Sequence, residues 1–376
     1  MLCASELADL GIRGRPEEGG VAWRGSMESV ARANLWLRTA SRVIVRVAEF
    51  KATAFFELEK QAKQIPWKLY VPNGGRVDFR VTCRKSKLYH SDAVAQRFAT
   101  AVEWNVTGAK AGRANESDDD ESPEANSQQL FVVRFVRDVC TVSVDSSGAL
   151  LHMRGYRQQL AKAPLRETLA ASVLLGAGWD GTTPLTDPMC GSGTIPIEAA
   201  LIARRMAPGR NRSFAFLNWP EFDKTTWASI VAEARAKELP SAPIKLEGFD
   251  RDRGAIEASN ANAERAGVAA DITFAEQPIS ALPPANGEGL VAVNPPYGVR
   301  VGESAPLRNL YAQLGNVLRA RRSGWRLAIL GADRTLERQI QLELEERFAT
   351  RNGGIPVRLM VGAVPGGRGV ERIVTC

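Results

Sequence analysis

The spacing of apolar residues along the chain changes character near Tyr156. Before that residue, apolar and polar positions alternate in several short segments, as in strands with one buried face. These predicted strands are 20–23, 42–49, 77–84, 130–136 and 139–144, the last joined to 150–153 by a hairpin across Asp145–Gly148. The predicted helices among them are 6–11, 27–40, 55–64 and 91–104. Residues 1–155 are therefore predicted to form a small α+β region.

After Tyr156 short apolar strands alternate with helices. The predicted strands are 184–186, 245–249, 271–274, 290–293 and 326–330, and the predicted helices are 164–176, 195–206, 255–266, 306–320 and 335–348. Such alternation is typical of a parallel, doubly wound α/β sheet. Segments 357–362 and 371–375 are predicted to form an antiparallel pair at its edge. Residues 156–376 are therefore predicted to be one α/β domain.

Two further stretches lie outside this pattern. Residues 109–128 are polar, acidic and without aromatic side chains, which predicts a mobile loop or an insertion. Residues 207–243, which contain Trp219 and Trp227, are predicted to be an insertion before the second strand of the α/β sheet.

Composition narrows the class of protein. The 376 residues carry a formal net charge of +7 and a pI near 9.3, which allows a polyanionic partner but is equally expected of an ordinary soluble protein. Five cysteines are scattered without a C-x-x-C pair, and the only histidines are His90 and His152. These counts argue against a zinc site, a disulfide framework and a Ser-His-Asp hydrolase. The same counts lead us to expect a protein without a metal. Because neither a membrane-spanning run nor a signal peptide is evident, we expect it to be cytoplasmic.

The segment Pro184–Ala200, PLTDPMCGSGTIPIEAA, has the pattern of a strand, a tight glycine turn and a helix N-terminus. Gly191 and Gly193 let a ligand approach the backbone closely, and the amides of the first helical turn face whatever binds there. Asp187, at the end of the strand, adds a carboxylate at the same place. Glycine in such a turn can also serve only to pack helix on sheet, so this segment alone leaves both interpretations open.

Asp250 follows the second strand of the predicted sheet, at the edge where ligands bind in doubly wound folds. It suits the two hydroxyls of a ribose, although it could instead cap the helix that begins at Ala255. The turn lacks the third glycine of a dinucleotide site, because Pro196 holds that place, and Asp250 lies far beyond the usual interval of about twenty residues. Gly193 is not followed by the Lys of a Walker A loop. These features disfavour NAD and ATP.

Asn294-Pro295-Pro296-Tyr297 follows the fourth strand at the same edge. Prolines leave the carbonyls free, Asn294 offers a side-chain acceptor and Tyr297 a flat face. Two acceptors that hold the hydrogens of a planar exocyclic amine would expose its lone pair, while Tyr297 would stack on the extruded base. If the other reactant is a sulfonium methyl, alignment supplies much of the rate. A Pro-Pro turn after a strand also occurs for structural reasons.

Two basic segments are candidates for nucleic-acid contact. Arg84–His90 interleaves cations with Tyr89, a mixture suited to phosphate contacts and base stacking. Arg154–Arg157 adds two more cations. Taken alone, either segment is also explained by an ordinary solvated turn.

The motifs DPMCGSGTIPIEAA and VNPPYG resemble those of the THUMP-containing RNA guanine-N2 methyltransferases, in particular of the bacterial enzymes that act on 23S ribosomal RNA. The resemblance extends through LWLRTASRVIV, VTCRKSKLYHSDAV, HMRGYR and APLRETLAASVLLGAGW, and so covers nearly the whole chain. It implies a class I, Rossmann-like methyltransferase domain preceded by a THUMP region over about 42–155 that binds RNA. Some relatives carry a second methyltransferase module downstream, and we expect a single module because the chain ends at Cys376.

The same resemblance implies roles for individual residues. The cofactor S-adenosylmethionine (SAM) would be held by Asp187, Pro188, Met189, Cys190, Gly191, Ser192, Gly193, Thr194, Asp250, Arg251 and Gln277. The target amine would be held by Asn294, Pro295, Pro296 and Tyr297. We expect RNA to be bound by Arg84, Lys85, Lys87, His90, Arg154 and Arg157. Cys190 is expected to be a small packing residue and not a nucleophile.

The sequence departs from the family pattern after the third strand of the α/β domain. The family has an acidic residue there that holds the adenine amine, whereas this chain has Pro278, so Glu276 or Gln277 would have to substitute. The acidic stretch near Asp118–Asp120 is a second departure, because it is an addition to the family pattern.

The resemblance thus implies methyl transfer from SAM to guanine N2, in 23S ribosomal RNA. Three alternatives stay open: a transfer RNA substrate, adenine N6 in RNA or DNA, and an RNA-binding ribosome-assembly factor whose catalytic half is degenerate.

Overall fold

The computed structural model describes residues 2–114, 128–157, 165–297 and 304–365. They divide into two compact units. The first unit contains Cys3–Met153 together with Ala207–Ala236, and the second contains Arg154–Met206 and the residues from Lys237 onward.

The first unit is built on one main sheet. Its elements up to residue 153 are α1 (Leu2–Asp9), β1 (Arg15–Glu17), β2 (Gly20–Ala22), α2 (Met27–Trp36), β3 (Ile44–Lys51), α3 (Phe55–Ala62), β4 (Arg76–Arg84), α4 (Ser91–Asn105), β5 (Lys110–Arg113), β6 (Gln129–Val136) and β7 (Val139–Asp145). The sheet has the order β3-β7-β6-β4-β5, and β1 pairs separately with β2. β4 is parallel to β5 and β6, whereas β7 is antiparallel to β3 and β6.

Alternation along β6 explains how this sheet buries one face. Phe131, Val133 and Phe135 are buried, while Arg134 and Val136 are exposed. The Phe131 ring packs against Trp67, with ring centroids 5.0 Å apart. The aromatic core therefore lies on the face that the sequence pattern predicts.

The hairpin of this sheet lies elsewhere than predicted. β6 and β7 are joined by Arg137-Asp138, both with positive φ, 52° and 64°. The predicted hairpin from 139–144 to 150–153 is wrong, since residues 150–153 form no strand. Ser146 and Ser147 turn inward instead and donate to the Val43 carbonyl and the Asn34 side chain.

Part of the predicted acidic loop is ordered structure. Lys110–Arg113 pairs in parallel with β4 as strand β5, so the predicted start of the loop at residue 109 is wrong. Residues 115–127, with the mobility predicted for them, lie outside the described residues.

The second unit carries the predicted doubly wound sheet. The remaining elements in chain order are α5 (Glu167–Gly176), β8 (Leu185–Asp187), α6 (Thr194–Ala203), α7 (Lys224–Ala236), β9 (Leu246–Asp250), α8 (Arg253–Ala266), β10 (Ile272–Glu276), β11 (Leu290–Val293), α9 (Ser304–Arg321), β12 (Arg326–Gly331), α10 (Arg334–Gln339), β13 (Glu345–Asn352) and β14 (Ile355–Ala363). The sheet order is β10-β9-β8-β11-β12-β14-β13. From β8 the chain adds β9 and β10 on one side and then β11 on the other. The junction of β8 and β11 is the switch point where such sheets bind ligands.

Both faces of this sheet are buried, as apolar runs without alternation predict. Leu290 and Ala292 of β11 belong to the core that includes residues of α5, α6 and α8. Val291 and Val293 belong to the core that includes residues of α9 and α10. The central strands are therefore covered by helices on each side.

The edge of this sheet corrects one predicted helix. A helix was expected over 335–348, but α10 ends at Gln339 and residues 345–352 form β13. β13 pairs antiparallel with β14, which pairs antiparallel with β12. The antiparallel pair at the edge was predicted from segments 357–362 and 371–375, whereas the observed pair is β13 and β14. Segment 371–375 lies outside the described residues.

The predicted insertion, 207–243, divides between the two units. Residues 207–236, including α7, belong to the first unit although they follow α6 of the second. Its aromatic side chains cluster: the Phe214 and Phe216 rings stack at 5.5 Å, and Trp227 packs edge-on against both. The segment thus contributes core to the first unit.

Candidate functional site

The carboxyl ends of three neighbouring strands bring the predicted cofactor and base residues together. Asp187 is the last residue of β8, Asp250 is the last of β9, and Asn294 follows β11. β8 lies between β9 and β11, and all three are parallel. Both carboxylates and the Asn294–Tyr297 segment therefore lie at one edge of the sheet.

Two glycines shape the turn between β8 and α6 in different ways. Gly191 and Gly193 have φ values of 55° and 80°, in the region that glycine adopts without strain. A Cβ on Gly193 would lie 3.0 Å from both Phe274 and Ser259, whereas a Cβ on Gly191 would meet nothing within 4 Å. Gly193 is thus required by packing, and Gly191 borders open space that a ligand can enter.

Asp187 is a carboxylate buried at the end of β8. It is 1% exposed, and its Oδ1 accepts the Met189 N–H at 3.1 Å. Burial, reinforced by the nearby Asp250 carboxylate, raises the pKa of Asp187 well above its usual range. Among the described residues no Lys or Arg forms an ion pair with Asp187 or Asp250. The site therefore suits a cationic ligand.

Asp250 is held against the glycine turn. Its Oδ2 accepts the Gly191 N–H at 2.9 Å and its Oδ1 accepts the Asp252 N–H at 3.0 Å. The helix-capping alternative for Asp250 is wrong, because Asp252 accepts from Gly254 and Ala255 and caps α8. Each Asp250 oxygen keeps a further lone pair for a ribose hydroxyl.

The other predicted residues of the cofactor loop differ in exposure. Pro188, Cys190, Ser192 and Thr194 are buried, Met189 is half-buried and Arg251 is exposed. Burial, with Asp187 nearby, raises the pKa of the Cys190 thiol well above its usual range. A protonated thiol is a poor nucleophile, which agrees with a packing role.

Gln277 provides a donor near Asp250. Its backbone N–H donates to the Asp250 carbonyl at 2.8 Å. Its side-chain Nε2 is buried and has no hydrogen-bond partner within the described part of the chain. An unpaired buried donor costs free energy, and a ring nitrogen of adenine would supply the missing acceptor. Glu276 is exposed, so Gln277 is the better substitute for the acidic residue expected at Pro278.

The Asn294–Tyr297 segment is internally hydrogen-bonded. The Tyr297 hydroxyl donates to Asn294 Oδ1 and accepts from Asn352 Nδ2 at 3.2 Å. The Pro296 carbonyl accepts from the Tyr311 hydroxyl at 3.3 Å, while the Pro295 carbonyl has no partner in the described ranges. Burial raises the pKa of Tyr297 to about 12, so its phenol stays a donor at neutral pH. The segment offers two acceptors, Asn294 Oδ1 and the Pro295 carbonyl, and Tyr297 covers the first.

Sequence reasoning missed four residues that hold these two loops. Tyr311 and Asn352 contact the Asn294–Tyr297 segment, and Ser259 and Asn262 contact the glycine turn. The three-residue spacing of Ser259 and Asn262 places them on one helix face, which was an available signal. For Tyr311 and Asn352 no sequence signal exists, because long-range packing brings them to the site.

The basic segment Arg84–His90 lies at the surface of the first unit, with Leu88 buried beneath it. Lys85 has a positive φ of 50°, and the Lys87 N–H donates to Asp138 Oδ1 at 2.7 Å. Arg84, Lys85 and Lys87 form no ion pair with any described residue, and the Tyr89 side chain is 66% exposed. His90 is exposed and precedes α4. The arrangement is a fixed loop that presents cations and an aromatic ring to solvent.

Arg154 and Arg157 lie in a different setting. Arg154 is 4% exposed and its Nε lies 3.1 Å from Glu198 Oε1 on α6. Arg157 Nη2 lies 3.2 Å from Glu167 Oε2 on α5. Burial raises the pKa of Glu167 to about 7, and Arg157 opposes that shift. Since both guanidinium groups are engaged inside the second unit, this geometry does not favour the RNA contact predicted for them.

No group of His, Cys, Asp and Glu that could hold a metal occurs in the described residues. None of the helices described there is long and apolar enough to cross a membrane.

A doubly wound sheet with an acidic glycine loop at its switch point defines the second unit as a class I SAM-dependent methyltransferase domain. The chain belongs to the family of RMKL-like methyltransferase domains, whose model matches residues 154–360. The model of the RlmL ferredoxin-like domain matches residues 1–44.

Two relatives and two solved structures illustrate the similarity. A putative RNA methyltransferase, slr0064 of Synechocystis sp., is 35% identical over 96% of this chain and 92% of its own. Ribosomal RNA large subunit methyltransferase K/L of Syntrophotalea carbinolica is 37% identical over 96% of this chain and 51% of its own. The chain spans about half the length of the K/L relatives that it matches.

Both solved structures superpose on nearly the whole chain. SMU.472, a putative methyltransferase complexed with SAH, is 28% identical with a TM-score of 0.84, covering 97% of this chain and 95% of its own. A protein of Listeria monocytogenes described as a predicted N6-adenine-specific DNA methylase is 32% identical with a TM-score of 0.81, covering 95% of this chain and 92% of its own.

Proposed function

We propose that this protein transfers a methyl group from SAM to the exocyclic N2 amine of a guanosine in large-subunit ribosomal RNA. The observation that carries the proposal is the pair of acceptors, Asn294 Oδ1 and the Pro295 carbonyl, beside the strand that ends in Asp187. The names of relatives from Synechocystis and Syntrophotalea support RNA, and ribosomal RNA in particular.

The cofactor is held by the loop from Asp187 to Thr194 and by Asp250. The sulfonium of bound SAM supplies an activated methyl group. Asp187 provides a buried carboxylate for the cationic part, and Asp250 provides acceptors for the ribose hydroxyls. We assign Gln277 Nε2 to the adenine ring.

The base is held by the Asn294–Tyr297 segment. A guanosine extruded from its stack presents a planar amine, whose two hydrogens would be accepted by Asn294 Oδ1 and the Pro295 carbonyl. These bonds favour a nitrogen whose lone pair points out of the base. The Tyr297 hydroxyl occupies one of the two lone pairs of Asn294 Oδ1 and competes with the amine there, and its ring is assigned to stack on the base.

RNA docking is assigned to the first unit. We propose that the sheet of β3 to β7 with α3 and α4 is a THUMP-type RNA-binding region. Arg84, Lys85 and Lys87 would contact phosphates and Tyr89 would stack on a base.

Adenine N6 is the second candidate. It presents a similar planar amine, and the Listeria structure is described as a predicted N6-adenine-specific DNA methylase. The acceptor pair accommodates either amine. Contacts to the ring edges of the base must therefore distinguish guanine from adenine.

The test combines Asn294→Ala with methyl transfer from labelled SAM to protein-free 23S ribosomal RNA. We expect the variant to lose transfer while it keeps its affinity for RNA and SAM, because only the amine contact is removed. Asn309→Ala, an exposed position on α9, is the matched control and should retain activity. Transfer that persists in Asn294→Ala would overturn the assigned role. A wild-type chain that fails to bind SAM in calorimetry would favour the assembly-factor alternative.

A further inference from the structure

Helix α8 contacts the glycine turn through two side chains on one of its faces. Ser259 Oγ lies 2.9 Å from the Gly191 carbonyl oxygen and 2.9 Å from the Ala255 carbonyl oxygen of its own helix, so its single proton is donated to one of these two carbonyls at a time. Asn262 Nδ2 donates to the Ser192 carbonyl at 3.0 Å. Both side chains are fully buried. Consecutive carbonyls of the turn are therefore directed at α8.

This orientation determines where the amides of the turn point. In a trans peptide the N–H points opposite to the preceding carbonyl, so the Ser192 N–H is directed away from α8. It has no partner among the described residues, whereas the Gly193 N–H donates to the Cys190 carbonyl at 2.9 Å. The Ser192 N–H is thus a donor held ready for a ligand.

The Asn262 amide is itself fixed from behind. Arg265 Nη2 donates to Asn262 Oδ1, so the amide nitrogen must face the turn. Arg265 Nε also donates to the Tyr156 carbonyl at 2.8 Å. The Tyr156 hydroxyl donates to Glu198 at 3.0 Å, and Glu198 lies on α6, the helix that begins at the turn. These contacts connect α8, through the half-buried Arg265, to Tyr156 and to α6.

We infer that Ser259, Asn262 and Arg265 are positioning residues that keep the Ser192 N–H aimed at bound SAM. The inference rests on the assignment of SAM to this loop and is independent of which base is methylated. It also gives Tyr156, in the HMRGYR motif, an indirect role, because the Tyr156 carbonyl holds Arg265 in position.

Calorimetry of SAM binding to the full chain tests the inference with three variants. Asn262→Asp has nearly the same shape and can still accept from Arg265, but it cannot donate to the Ser192 carbonyl. We expect it, and Asn262→Ala, to weaken SAM binding roughly three- to tenfold, the value of one hydrogen bond. Asn260→Ala is the matched control, since Asn260 lies on the same helix, is exposed, and within the described part of the chain its side chain donates only to the Ile256 carbonyl.

Steady-state kinetics separate positioning from general loss of structure. The KM for SAM should rise in Asn262→Asp, while kcat and the KM for RNA stay unchanged. If Asn262→Ala does not fold, Asn262→Asp and Ser259→Ala carry the same test. Unchanged SAM affinity in a folded Asn262→Asp chain, or an equal loss in Asn260→Ala, would overturn the inference. Failure of the proposed guanosine specificity would look different, because wild-type SAM binding would persist without methylated guanosine.

Discussion

At the scale of single residues, Asp187 links cofactor binding to pH. Its pKa is raised by burial, so the carboxyl is increasingly protonated as pH falls through that raised value. A cationic ligand favours the carboxylate. SAM affinity should therefore decrease as pH falls through the pKa and level off above it.

Calorimetry over a range of pH, with SAM and SAH compared, measures this effect. SAH lacks the sulfonium but shares the amino group, so its affinity should depend less on pH. In Asp187→Asn the difference between the two ligands should disappear. Equal pH dependence for SAM and SAH in the wild type would show that Asp187 does not sense the sulfonium.

Tyr297 offers a second test at the scale of residues, because its ring and its hydroxyl are assigned opposite effects. The hydroxyl covers Asn294 Oδ1, whereas the ring stacks on the base. Tyr297→Phe should keep or raise kcat/KM for RNA, and Tyr297→Ala should lower it roughly ten- to hundredfold, the contribution of base stacking. An equal loss in both variants would mean that the hydroxyl itself contributes to transfer.

At the scale of elements, the loop between β4 and α4 carries the RNA prediction. Charge reversal of Arg84, Lys85 and Lys87 should weaken RNA binding and reduce its salt dependence, because each phosphate contact releases counterions. Filter binding at several salt concentrations measures both quantities. Reversal of the exposed Arg24, Lys224 and Arg235, which lie outside the elements assigned to RNA binding, is the control and should have a smaller effect. Unchanged affinity in the first triple variant would make Arg84–Lys87 an ordinary surface loop.

Some elements and site residues could be predicted from the sequence, and others could not. The cofactor and base residues were predictable, because the carboxyl ends of parallel strands must share one edge and the motifs follow those strands directly. β13 was mistaken for helix, since an exposed edge strand such as EERFATRN carries no clear alternation. The β6–β7 turn, Arg137-Asp138, lacks the glycine that normally marks such a hairpin.

Buried polar contacts were the least predictable feature. Arg154 looks like an RNA-binding cation in the sequence, yet it pairs with Glu198, forty-four residues away. Asn352 reaches Tyr297 from a strand near the end of the described chain. Such pairs depend on the packing of distant elements, which periodicity within one element cannot indicate.

At the scale of the whole molecule, the two units are interleaved in sequence. The chain passes from the first unit to the second after Met153, returns for Ala207–Ala236, and passes back again. No single cut separates the two units intact, because a cut after Met153 removes Ala207–Ala236 from the first unit and leaves it attached to the second. Experiments on RNA docking and on methyl transfer should therefore use the full chain with point variants.

The central claim is methylation of guanine N2 in large-subunit ribosomal RNA. It is tested most directly by mass spectrometry of nucleosides from the 23S ribosomal RNA of a deletion strain and its parent. The account predicts loss of N2-methylguanosine, restored by the wild-type gene and not by Asn294→Ala. Unchanged N2-methylguanosine with loss of N6-methyladenosine would contradict it.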